Sequence, residues 1–94
     1  MYKRELIAKV ARETRMSQRD VSDALNSILN VIEDALKHGI LVTLPGFGTF
    51  YTRRHAGGTV RHIRSGKTIH YPARRQAAFR VGEVLARAVS GKKR

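Results

Sequence analysis

The chain has 94 residues, no cysteine, and 19 Lys and Arg against 7 Asp and Glu, for a formal net charge of +12. A single small domain follows from that length, disulfides and thiolate metal sites are excluded as staples, and packing or oligomerisation must supply the missing stability. The charge is lopsided: residues 1–46 carry seven Lys and Arg against six acids, whereas residues 47–94 carry twelve against one, Glu83.

Leu6, Ile7, Val10 and Ala11 recur at helical spacing and predict a short helix over residues 3–14, with Lys3, Arg4, Lys9, Arg12 and Glu13 on its other side. Ser17 with Asp20 three residues later is an N-cap signal for a second helix. Val21, Ala24, Leu25, Ile28, Leu29, Val31, Ile32, Ala35 and Leu36 cover more than one of its faces, so burial against a partner is expected as well as burial within the domain. Lys37 and His38 suit its C-terminus and Gly39 its left-handed cap.

Residues 40–44 read as a short strand, Pro45-Gly46 as its turn, and Phe47, Phe50 and Tyr51 as the return. From Thr52 to Gln76 the chain holds seven Lys and Arg, three His and no acid, with a pattern that reads as polar on both faces of a strand. Such a segment cannot bury itself, and a polyanion would neutralise it. Ser65-Gly66-Lys67 is the expected tip, residues 68–75 return, and strands of about 11 residues rising about 3.3 Å each would reach about 35 Å. Residues 76–81 resume the sheet with Phe79 and Val81, and Gly82 opens a last helix with Val84, Leu85, Ala88 and Val89.

The order helix, helix, hairpin, long basic ribbon, strand, helix resembles the HU/IHF family of bacterial histone-like DNA-bending proteins along essentially the whole chain. The resemblance rests on Glu5-Leu6-Ile7 with Val10-Ala11, on the run from Val42 to Phe50, and on Arg61, Gly66, Ile69, Pro72-Ala73, Ala78-Phe79 and Gly82 at the family's spacing. It implies an α+β fold. Two N-terminal helices would precede a three-stranded antiparallel sheet with a protruding β-ribbon arm and a short C-terminal helix, as an intertwined dimer. The expected division is 1–39 for helical dimerisation, 40–51 and 76–81 for the sheet body, 52–75 for the DNA-binding arm and 82–90 for the last helix. Leu25, Ile28, Leu29, Ile32, Leu44, Phe47, Phe50 and Phe79 are the expected dimer core.

The expected DNA contacts are Arg53, Arg54, His55, Arg61, His62, Ile63, Arg64, Lys67, His70, Arg74 and Arg75 in the arm, with Lys3 and Arg80 from the body. Arginine suits this task because its planar fork bonds phosphates and groove acceptors and is drawn to the negative minor groove. Where relatives usually carry an Asn-Pro wedge, this chain has His62-Ile63. Ile63 is read as the intercalating residue, since apolar wedges include isoleucine. Gly57-Gly58-Thr59-Val60, where relatives tend to carry basic residues, is expected to remove charge from the outgoing arm and to loosen it. Glu83, at a position often basic in relatives, is expected to reduce the last helix's share of DNA binding.

His55, His62 and His70 have no cysteine or acid beside them, so they are read as groove-facing groups, with no metal and no cofactor expected. The acids lie scattered without a nucleophile and base pair, which reads as no enzyme and no small-molecule substrate. No apolar run approaches the roughly 18 residues of a membrane span, the first residues lack a signal-peptide stretch, and the Lys92-Lys93-Arg94 tail reads as a solvated end. The expected location is cytoplasmic and nucleoid-associated. The function expected is binding, bending and compaction of duplex DNA with low sequence specificity, as a homodimer. The alternative is a sequence-preferring, IHF-like half of a heterodimer.

Overall fold

The computed structural model describes residues 1–91 and divides the chain into two compact units, Met1–Ala35 and Leu36–Arg94. The tail read as a solvated end lies outside the described residues.

In the first unit, helix α1 (Lys3–Thr14) starts where the Glu5 carboxylate accepts the Tyr2 N–H, and stops at Arg15, whose φ of 62° is left-handed. Helix α2 (Gln18–Lys37) begins with the Ser17 hydroxyl accepting the Asp20 N–H at 3.0 Å, the N-cap expected from the sequence. Ile7, Ala11 and Val21 are the buried apolar residues of this unit. Around them Leu6, Val10, Met16, Ala24, Leu25 and Ile28 leave an open apolar groove of about 250 Å³. One copy of this helix pair cannot close its own core. The α2 C-terminus ends as anticipated, with the Gly39 N–H donating to the Leu36 carbonyl at 3.0 Å and Gly39 at φ +73°.

The second unit is built on a sheet of order β1-β2-β5, formed by β1 (Val42–Leu44), β2 (Gly48–His55) and β5 (Arg74–Val81). The first strand is shorter than its expected span of 40–44, because only Val42 to Leu44 find partners on β2. Leu44-Pro45-Gly46-Phe47 closes a tight turn with a 2.9 Å bond from the Phe47 N–H to the Leu44 carbonyl. Gly46, at φ +82°, takes the position that requires a left-handed residue after proline. Helix α3 (Glu83–Ser90) is anchored to this turn by the Gly82 N–H on the Phe47 carbonyl and the Leu85 N–H on the Gly46 carbonyl.

Antiparallel register assigns the two faces of the sheet. Val42 and Leu44 oppose Phe50 and Gly48, which oppose Phe79 and Val81, so these six share one face. Its aromatic rings pack at 4.9 Å between Phe50 and Phe79 and 5.8 Å between Phe47 and Phe79. Gly48 is buried beneath the Phe79 ring, and a Cβ there would also stand 2.6 Å from the Arg80 carbonyl oxygen, so no larger residue fits. Within the single chain Ile28, Leu29, Leu44, Phe47 and Phe79 remain exposed and Leu25, Ile32 and Phe50 only half-buried. These eight are the residues expected to form the dimer core.

Beyond the body, β3 (Gly58–Arg61) pairs with β4 (Thr68–Tyr71) as a separate two-stranded ribbon. The arm is therefore not one uninterrupted ladder, as the sequence suggested. It breaks between the His55–Arg74 and Gly58–Tyr71 pairs, where Pro72 has no N–H to donate. The distal ribbon is also not polar on both faces: pairing sets Val60 opposite Ile69 and Gly58 opposite Tyr71 on one side, with Thr59, Arg61, Thr68 and His70 on the other. The alternation was hidden because its apolar members are spread over two strands separated by the tip.

The glycines at the break differ sharply. A Cβ on Gly57 would stand 2.8 Å from the Tyr71 carbonyl oxygen and 3.0 Å from the Ala73 nitrogen, while one on Gly58 meets nothing within 4 Å. Gly57 therefore permits close approach of two backbones, a role beyond the loosening expected of it. Gly57→Ala is expected to speed amide exchange throughout the distal ribbon, and Gly58→Ala to leave it unchanged, as read by hydrogen-exchange NMR of the free protein.

Candidate nucleic-acid interface

The same register that gives the sheet an apolar face collects cations on the opposite one. Thr49 opposes Arg80, Tyr51 opposes Ala78, Arg53 opposes Gln76 and His55 opposes Arg74. Arg53, His55, Arg74 and Arg80 therefore share one polar face, and Thr43 joins them through its pairing with Thr49. Arg80 lies over the Tyr51 ring at 5.0 Å, a contact that holds its guanidinium against the sheet while leaving its charge at the surface. His55 Nε2 donates to the Gln76 side-chain carbonyl, so this ring is fixed at the root of the arm.

Arg54 and Arg75 oppose each other on the other face. Arg75 turns its Nη1 to the Lys37 carbonyl at 2.5 Å, and its guanidinium lies beside Gly39. Sequence alone grouped all the arm arginines together; register separates them. Lys3, at the start of α1, donates to Asn26 Oδ1 at 2.5 Å. Glu83 and Arg87 pair at 3.1 Å on α3, an exposed i,i+4 contact worth about 0.3–0.5 kcal/mol.

In the distal ribbon, Arg61 and His70 lie on the polar side with Thr59 and Thr68. The tip is closed by the His62 N–H on the Lys67 carbonyl and the Gly66 N–H on the His62 carbonyl, both 2.7 Å. The turn therefore spans Ile63, Arg64 and Ser65, two residues earlier than the expected Ser65-Gly66-Lys67, and Gly66 at φ +71° takes its left-handed position. Ile63 is 96% exposed at this apex. It is a turn residue rather than a strand residue. An isoleucine this exposed, with no packing partner, contributes nothing to the fold of the single chain.

The residues that sequence reasoning missed are Thr43, Thr49 and Tyr51, which share the cationic face. Counting in steps of two back from Arg53 picks out Tyr51 and Thr49, and the pairing across Pro45-Gly46 then adds Thr43. Among the described residues no group of three or more His, Cys, Asp or Glu is placed to hold a metal ion. No described helix is long and apolar enough to cross a membrane.

Comparison with known proteins agrees with this architecture. DNA-binding protein HU 1 of Bacillus subtilis is 39% identical over 92 residues, covering 98% of this chain and 100% of its own. DNA-binding protein HU of Caulobacter vibrioides is 40% identical over 83 residues, covering 88% of this chain and 90% of its own. A cocrystal structure of Anabaena HU with DNA superposes with a TM-score of 0.87 at 29% identity, covering 98% of this chain and 100% of that one. These relatives carry HU names, which disfavours the IHF-like alternative. The profile of the family described as bacterial DNA-binding protein matches residues 1–90, and with the shared fold, the cationic sheet face and the two-part arm it shows that this chain belongs to that family.

Proposed function

We propose that this protein is a histone-like architectural protein that grips duplex DNA between the β-arms of a homodimer and bends it. Its role is structural and not catalytic, in keeping with its family. The observation that carries the reading is the single polar face on which register gathers Arg53, His55 and Arg74 at the arm root with Arg80 on the sheet body. Arg61 and His70 carry the distal polar side, and His62, Ile63, Arg64 and Lys67 the tip. Arginines on a narrow ribbon enter a minor groove and follow its phosphates, and these contacts are indifferent to base sequence, so low specificity is expected. The family and this chemistry support a nucleoid location in the bacterial cytoplasm.

Ile63 is the wedge. It stands at the apex with its side chain in solvent, where insertion between base pairs would bury it and kink the duplex. Ile63→Ala is expected to bind with nearly unchanged salt dependence but to bend less, read as lower energy transfer between dyes at the ends of a short duplex at saturating protein. Wild-type bending by Ile63→Ala would mean that the arms act by charge alone.

A further inference from the structure

Of the eleven arm residues expected at DNA, Arg75 is the one whose charged end is already engaged by the protein's own backbone. Its Nη1 donates to the Lys37 carbonyl, 38 residues away in sequence. The guanidinium lies 3.8–3.9 Å from where a Cβ of Gly39 would stand, so it is seated over this glycine's bare face. Register gives the same answer independently: Arg75 opposes Arg54, on the face that also carries Phe50 and Phe79, and points away from Arg53, Arg74 and Arg80. Two facing arginines would repel, and the carbonyl relieves this by drawing one of them off. The carbonyl lies at the C-terminal end of α2, where the helix dipole favours a cation.

We infer that Arg75 is a positioning residue: it ties the outgoing root of the arm to the Lys37-to-Gly39 cap and fixes the direction in which the arm leaves the sheet, without contacting phosphate. This rests on the reading of the Arg53 face as the DNA face. An arm root held at one angle meets the groove without further ordering, whereas an untied root must be ordered on binding.

The test compares Arg75→Gln, Arg75→Lys and Arg74→Gln for the salt dependence of DNA affinity, for bending at saturating protein and for thermal midpoint without DNA. Removing one phosphate-binding cation flattens the slope of log K against log salt by about 0.9, so removing it from both arms of a dimer flattens the slope by about 1.8. Arg74→Gln is expected to flatten it by that amount. Arg75→Gln is expected to keep the wild-type slope, to lower the free protein's midpoint by a few degrees and to bend DNA less uniformly. Arg75→Lys, whose ammonium can still reach the carbonyl, should restore much of the bending. A slope flattened by Arg75→Gln as much as by Arg74→Gln would make Arg75 a phosphate-binding residue and overturn the inference, as would wild-type bending by Arg75→Gln. If Arg74→Gln alone failed to change the slope, the choice of DNA face would fall instead, while a lowered midpoint and altered bending in Arg75→Gln would still support the tie.

Discussion

Raising salt from 50 to 200 mM is expected to weaken binding to a random duplex by roughly 1,000-fold or more. Arg53, Arg61, Arg64, Lys67, Arg74 and Arg80 give six cations per chain on the polar faces and tip, and none has an acidic partner among the described ion pairs. A dimer doubles that number. Neutralising even about 6 to 10 phosphates releases enough counterions to give a log–log slope of about −5 to −9. Fluorescence anisotropy of a labelled duplex across a salt series measures it directly. A response that changed affinity less than tenfold over this range would show that charge is not what holds the DNA.

Phe79→Ala should have the largest effect on stability, about 3–5 kcal/mol, the range for removing a buried aromatic ring. In one chain Phe79 is 42% exposed, and by itself that exposure would forecast a smaller loss. The larger figure follows because its ring packs on Phe47, Phe50 and Gly48, on a face left open together with Leu44 and Val81. Likewise α2 leaves Ile28 and Leu29 exposed. Surfaces of this kind are expected to be covered by a second copy. Urea unfolding should therefore shift to higher midpoint as protein concentration rises, and Phe79→Ala should lower the midpoint at every concentration. A concentration-independent transition, with Phe79→Ala costing under about 1 kcal/mol, would show a chain that completes its core alone.

Much of the fold was legible because each signal was local. Ser17 with Asp20, Gly39 after Lys37, and Pro45-Gly46 each depend on neighbours within a few residues, and each stands where expected. The arm was harder because its organisation is a matter of pairing. Arg74 and Arg75 are adjacent in sequence and alike in chemistry, yet one opposes His55 and the other Arg54. The apolar side made by Val60, Ile69 and Tyr71 was invisible for the same reason, since its members lie on either side of the tip. Gly57 could be recognised as a glycine that matters, but what it makes room for, the carbonyl of Tyr71, comes from the far strand.

The interruption in the arm has equal numbers of residues on its two sides, Ala56-Gly57 facing Pro72-Ala73, so the count carries straight through it. Gly48 with Val81, His55 with Arg74, Gly58 with Tyr71 and His62 with Lys67 are all members of one unbroken series. The partners' numbers thus keep one constant sum from the core to the apex. An arm lengthened by matched pairs of two residues on each strand would present the same side chains to the same side, only farther out. Lengthening by one on each strand would exchange the sides beyond the insertion. Evolution can tune how far this protein reaches, but only in even steps.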